Sequence, residues 1–140
     1  MYTFSYRAEF VISHPRDSLE DAATLLRKRP SKYIRKGRSY KRPRPAERSV
    51  LNWILHPGRE TVSDRAPLER TISRFLREIV GESRRLSQAL RGGGRASLQI
   101  AIRPETSYSV FTLDPDILRE LASLGIELEI CCVVPPGRLS

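Results

Sequence analysis

Tyr2, Phe4, Tyr6, Ala8, Phe10 and Ile12 take every second position at the start of the chain, and Thr3, Ser5, Arg7 and Glu9 fill the gaps. Side chains on a strand point alternately to its two faces, so this spacing predicts a long strand with one apolar and one polar face. A sheet built around such a strand is covered on one side only. That disfavours a doubly wound parallel sheet, whose strands read as unbroken apolar runs.

His14-Pro15 ends the strand. Ser18, with Asp21 three residues on, resembles a helix start, and Leu19, Ala22, Ala23, Leu25 and Leu26 form an apolar stripe that stops near Arg29-Pro30. Pro30 to Arg48 has no period, and its prolines and Gly37 predict an extended loop. Ser49 to Leu55 reads as a strand closed by His56-Pro57-Gly58. Pro67 suits a first helical position, and Leu68, Ile72, Phe75, Leu76, Ile79, Leu86 and Leu90 keep helical spacing to about Leu90. Gly81 falls inside as a candidate kink or break, and Gly92-Gly93-Gly94 ends the run. Leu98, Ile100 and Ile102 predict a strand, and Tyr108 to Leu113 another. Asp114-Pro115 caps a helix striped by Ile117, Leu118, Leu121 and Leu124, which Gly125 terminates. On the last strand Ile126, Leu128, Ile130, Cys132 and Val134 face one way, and Glu127 and Glu129 the other.

The expected fold is α+β. It has an antiparallel or mixed sheet of about five to six strands and three helices packed on one face. Residues 1–140 form a single domain, with a basic extended loop at about 30–48.

Charge is distributed unevenly. Eleven of the 25 basic residues, and all four lysines, fall between Arg27 and Arg48, where Glu47 is the only acid, giving that stretch +10. The chain as a whole carries +9, so the remainder is nearly neutral at −1. The long predicted helix adds Arg70, Arg74, Arg77, Arg84, Arg85 and Arg91, interspersed with Glu69, Glu78 and Glu82. Mixed signs at helical spacing read first as a solvated face. They extend a binding surface only if the tract folds beside them.

No apolar run approaches the roughly 20 residues that cross a bilayer, and Met1 to Tyr6 lacks the pattern of a secretory signal. A cytoplasmic protein without a membrane role is expected. Cys131 and Cys132 are adjacent on a strand, so their side chains point to opposite faces and are poorly placed to bridge each other. They read as buried thiols.

The residues offer no catalytic or metal constellation. His14 and His56 each precede a proline at a strand end and read as loop histidines. Zinc needs ligands at a spacing that is missing here. Asp114 and Asp116 suit capping and the helix dipole, and Glu127 and Glu129 suit a solvated strand face. Gly92-Gly93-Gly94-Arg95 follows a helix and precedes a strand, the reverse of a phosphate cradle. No cofactor or metal is expected, and the chain reads as non-enzymatic.

The order and spacing of several features resemble the bacterial family of the domain of unknown function 4279. These are the strand Phe4 to Ile12, Leu25-Leu26, Pro30-Ser31, Arg35-Lys36-Gly37, the single tryptophan in Asn52-Trp53-Ile54-Leu55, and the block Leu113 to Ile130 that contains Asp114-Pro115 and Leu124-Gly125. The family usually carries an acid after the Lys-Gly pair, where this chain has Arg38, and Tyr40 to Arg48 is more basic than the resemblance implies. The resemblance implies no established chemistry. Some members resemble immunity proteins that neutralise toxins passed between bacteria, so it implies binding.

The candidate partner-binding residues are Arg27, Lys28, Arg29, Lys32, Tyr33, Arg35, Lys36, Arg38, Tyr40, Lys41, Arg42, Arg44 and Arg48. One expected partner is an acidic protein surface, such as a toxin's, because guanidinium groups pair with carboxylates in bidentate fashion. The alternative is nucleic acid: cations neutralise phosphates, while Tyr33 and Tyr40 stack on unpaired bases. A third reading leaves the tract as a solvated loop that aids solubility.

Overall fold

The computed structural model describes residues 3–38, 44–58, 61–62, 65–105 and 112–132. Its elements run β1 (Phe4–His14), a 3-10 helix (Glu20–Thr24), β2 (Lys32–Ile34), β3 (Ser49–His56), β4 (Thr61–Val62), α1 (Ala66–Val80), α2 (Ser83–Ala89), β5 (Arg95–Pro104), α3 (Pro115–Ser123) and β6 (Ile126–Cys132). The result is the expected α+β fold, with six strands in one mixed sheet and three α-helices among the described residues.

The alternating first strand lies at the centre of the sheet. The order is β2-β3-β1-β5-β6, with β4 pairing the start of β1 at Phe4 and Ser5. Both neighbours of β1 are antiparallel, whereas β5 and β6 are parallel because α3 carries the chain back between them. Phe4, Tyr6, Ala8, Phe10, Ile12 and His14 are all buried, and they share a core with Leu51 and Trp53 of β3 and Leu98, Ile100 and Ile102 of β5. Leu68, Ile72, Phe75, Leu76 and Ile79 of α1 press on the same face, with Phe10 and Phe75 at 4.7 Å and Phe10 stacked on Trp53 at 5.5 Å. One bulge interrupts the ladder: Glu9 pairs with Ile54 and Ala8 with His56, so Leu55 is the extra residue.

Several expectations need correction. The basic stretch is not loop throughout, since Lys32–Ile34 joins the sheet as an edge strand on β3. Ser31 fixes its start, donating its N–H to the Asn52 carbonyl at 2.7 Å and accepting from the Ile54 N–H through Oγ at 3.2 Å. An edge strand needs hydrogen bonds on one side only, so three residues suffice. The helix predicted after Ser18 shrinks to the five residues Glu20–Thr24, because Leu19 lies outside helical geometry (φ −107°, ψ 20°) and Leu25 and Leu26 turn inward to the core.

The long helix divides at Glu82 (φ −115°, ψ 20°), one residue beyond Gly81, which is itself helical at φ −65°. The strand predicted over Tyr108 to Leu113 lies mostly outside the described residues, and Thr112 and Leu113 are not in a strand. His14 is not a loop residue: it is the last residue of β1 and only 1% exposed. Cys131 and Cys132 are exposed rather than buried. They lie at the far end of β6, the outermost strand among the described residues, where apolar cover has run out and Ile130 is 48% exposed.

Candidate functional site

The chain leaves the 3-10 helix at Leu25-Leu26, both buried, and the next residues must surface beside α1. The Arg27 N–H donates to Glu78 Oε1 of α1 at 2.7 Å. The Lys28 carbonyl accepts from Trp53 Nε1 at 3.0 Å, and Lys28 Nζ donates to the Ile54 carbonyl at 2.8 Å. Backbone and side chain of this short segment are thus tied to both a helix and the sheet. The start of the basic tract is held in place and is not a free arm.

That anchoring brings Arg27 and Lys28 alongside Arg74 and Arg77, and with Glu78 and Glu82 they line an open groove of about 640 Å³. Among the described residues, Arg27, Arg74 and Arg77 have no carboxylate partner. Elsewhere Arg7 pairs with Glu9, Arg35 with Glu20, Arg65 with Glu69, Arg95 with Glu127 and Arg119 with Asp116, while exposed arginines such as Arg70, Arg84 and Arg103 also stand without a carboxylate but line no shared groove with the three. The two acids of the groove are already engaged, Glu78 by the Arg27 N–H and Glu82 by Arg85 at 3.2 Å. Four cationic side chains therefore share one concavity with two carboxylates, one of them paired with Arg85, and the groove keeps a net positive charge.

A second groove adjoins the first and shares Lys28, Arg74 and Glu78 with it. Its lining is mixed: Leu26, Trp53, Ile54, Leu55 and Phe75 supply an apolar part beside Thr71 and the three shared charged residues. Trp53 is fully buried and Phe75 is 2% exposed, so these rings form a floor and present no face for stacking.

The rest of the tract is placed elsewhere. Arg29 is exposed in the approach to β2, and Lys32 is exposed on β2 itself. Tyr33 is half-buried against the core, its hydroxyl lies 3.0 Å from Ser18 Oγ, and the Arg35 guanidinium sits over its ring at 5.2 Å. Arg35, Lys36 and Arg38 follow in the turn, where the Gly37 N–H donates to the Ala46 carbonyl and the Ala46 N–H to the Arg38 carbonyl, closing the base of a hairpin. Tyr40, Lys41 and Arg42 lie outside the described residues. Arg44 is exposed, and Arg48 reaches back to Ser13 Oγ at 3.3 Å. The tract is thus split between the groove and the hairpin.

The sequence singles out Arg27 and Lys28, and it names Arg74 and Arg77 only among six helix arginines that extend the surface if the tract folds beside them. The signal for Arg74 and Arg77 was their spacing of three on α1, which sets both on one face. The contact with Glu78 that turns that face toward the tract cannot be read from local pattern.

The site carries no metal-type cluster: among the described residues no three His, Cys, Asp or Glu side chains are placed to hold an ion. No described helix is long and apolar enough to cross a membrane. No curated protein and no solved structure matches the chain. The family comparison does match, over residues 4–134, to the family described as domain of unknown function (DUF4279). That span holds every described element from β1 to β6, and the chain belongs to the DUF4279 family.

Proposed function

We propose that this chain is a non-enzymatic binding protein that captures an acidic protein partner through the cationic surface centred on Arg27, Arg74 and Arg77. The observation that carries the reading is the convergence of Arg27, Arg74 and Arg77 on one groove, none of them paired with a carboxylate among the described residues. Guanidinium groups held beside helix α1 suit carboxylates, and the positive field of the +10 stretch speeds encounter with an acidic surface. In its finest form the partner is a bacterial toxin, and the protein acts in the cytoplasm as an immunity protein.

The alternative ligand is a nucleic-acid backbone. Tyr33, one of the two tyrosines proposed for base stacking, has its ring under Arg35 and packed on the core, which favours the protein partner.

The test is affinity capture from the source cells with wild type and with the triple charge reversal Arg27→Glu, Arg74→Glu, Arg77→Glu. An acidic protein held by wild type, released by the reversal and bound again after purification is expected. If that partner arrests growth when expressed alone and growth returns on co-expression, the immunity form stands. Retention by both proteins, or capture of nucleic acid alone, would overturn the proposal.

A further inference from the structure

The two adjoining grooves differ in chemistry, and the difference restricts what can lie across both. One is rimmed by the guanidinium groups of Arg27, Arg74 and Arg77. The other is lined by Leu26, Leu55 and the buried rings of Trp53 and Phe75. Lys28, Arg74 and Glu78 stand on the boundary and belong to both, two cations to one acid. A ligand with charge alone fills the first half and leaves the second hydrated. A nucleic-acid strand supplies phosphates, but its bases find no exposed ring to stack on.

We infer that the joined groove is a peptide-recognition site for a partner segment that presents a carboxylate next to an aliphatic side chain. This deepens, and rests on, the acidic-partner reading above. The carboxylate enters between Arg74 and Arg77 and takes the bidentate hydrogen bonds that guanidinium geometry favours. The neighbouring aliphatic group displaces water from the Leu26–Leu55 half. Charge complementarity sets the occupant: Glu78 and Glu82 are satisfied from within, so the groove offers net positive charge to an incoming acid. The apolar half gives a selectivity that salt does not screen.

Trp53 is the only tryptophan in the chain and lies beneath the apolar half, so its emission reports occupancy. The probes are two capped peptides of equal length and charge, one alternating Glu with Leu and one alternating Glu with Ser, together with oligothymidylate. The Glu–Leu peptide is expected to shift Trp53 emission and to bind roughly tenfold more tightly than Glu–Ser. Replacing Arg74 and Arg77 by Gln on the exposed face of α1 is expected to weaken both peptides by roughly tenfold. Arg103→Gln with Arg119→Gln, on β5 and α3 and outside both grooves, is expected to leave Glu–Leu selectivity unchanged. Leu55→Ser is an independent variant at the bulge, expected to erase the preference for Leu while retaining Glu–Ser binding.

Equal affinity for the two peptides, or insensitivity to the Arg74 and Arg77 substitutions, would overturn the groove inference and leave the acidic-partner reading intact. Binding of oligothymidylate with neither peptide bound would overturn both. Binding of no probe would overturn the groove as a peptide site, while cell capture would still decide the broader reading.

Discussion

His14 Nε2 lies 2.6 Å from the carbonyl oxygen of Arg91, joining the end of the central strand to the start of the glycine loop before β5. Its other ring nitrogen, Nδ1, accepts from the backbone N–H groups of Arg16 at 3.0 Å and Asp17 at 2.8 Å. Nδ1 is thereby an acceptor, so Nε2 carries the proton and donates to Arg91. One buried imidazole thus satisfies three backbone groups from two loops. His14→Ala would leave all three without their partner and open a void, and a loss of about 2–4 kcal/mol is expected. Urea unfolding of wild type and variant measures it. Arg91→Ala, which keeps the carbonyl, is expected to change stability by less than about 0.5 kcal/mol.

Two glycines flanking α2 should respond oppositely to the same substitution. At Gly81 the backbone is helical, and an added Cβ meets nothing closer than the Glu78 carbonyl oxygen at 3.9 Å. Gly81→Ala is expected to stabilise by about 0.5–1 kcal/mol, because alanine has less backbone freedom to lose. At Gly94 a Cβ would fall 2.7 Å from Leu90 Cα, 2.8 Å from the Ala89 carbonyl oxygen and 3.0 Å from His14 Cδ2. The first two are backbone atoms that cannot yield locally, so Gly94→Ala is expected to cost about 2 kcal/mol or more. Thermal unfolding of the two variants side by side decides the matter.

Trp53 links the core to the groove through its indole. Trp53→Phe keeps an aromatic ring against Phe10 but leaves the Lys28 carbonyl without its 3.0 Å donor. A loss of about 1–3 kcal/mol is expected from the orphaned acceptor and the smaller ring. Amide exchange should quicken most between Leu26 and Ser31, the segment that bond restrains. A uniform change across the sheet would argue against a local role.

The exposed thiols make a direct check on the sheet's edge. Cys131 and Cys132 project to opposite faces of β6 and are both exposed. Both are expected to react with a thiol reagent in the folded protein, without denaturant. Cys131→Ser is expected to change stability by less than about 0.5 kcal/mol. Protection of either thiol until unfolding would contradict this edge.

The features that could be read from sequence were those with local periodicity. The alternation from Phe4 to Ile12 fixed both the central strand and its single covered face, and Asp114-Pro115 marked the start of α3, where Asp114 accepts from the Asp116 N–H at 2.9 Å. What escaped was set by partners far away in sequence. The burial of His14 depends on Arg91, and β2 exists because β3 offers it an edge. The exposure of the cysteines follows from the position of β6 in the sheet, which an alternating pattern alone does not reveal. The groove belongs to the same class: charge singled out Arg27 and Lys28, but only the Arg27–Glu78 contact turns them toward Arg74 and Arg77.

Arg85 holds the 3-10 helix against α2, and so fixes the path from which Arg27 emerges. Its guanidinium donates to the Asp21 carbonyl at 2.8 Å, to Thr24 Oγ1 at 2.5 Å and to the Thr24 carbonyl at 3.4 Å, and it pairs with Glu82 at 3.2 Å. This fan of acceptors uses the planar fork of arginine, which a lysine ammonium cannot match from a single point. Arg85→Lys is expected to lose most of the interaction, and Arg85→Ala all of it, at about 1–3 kcal/mol, since several bonds involve a charged donor but lie near the surface. The discriminating measurement is local. Hydrogen exchange should accelerate between Glu20 and Lys28 in both variants, while the amides of β1 and β5 keep their protection. If Arg85→Lys leaves exchange in that segment at the wild-type rate, the charge alone suffices and the fork geometry is not what holds the segment in place.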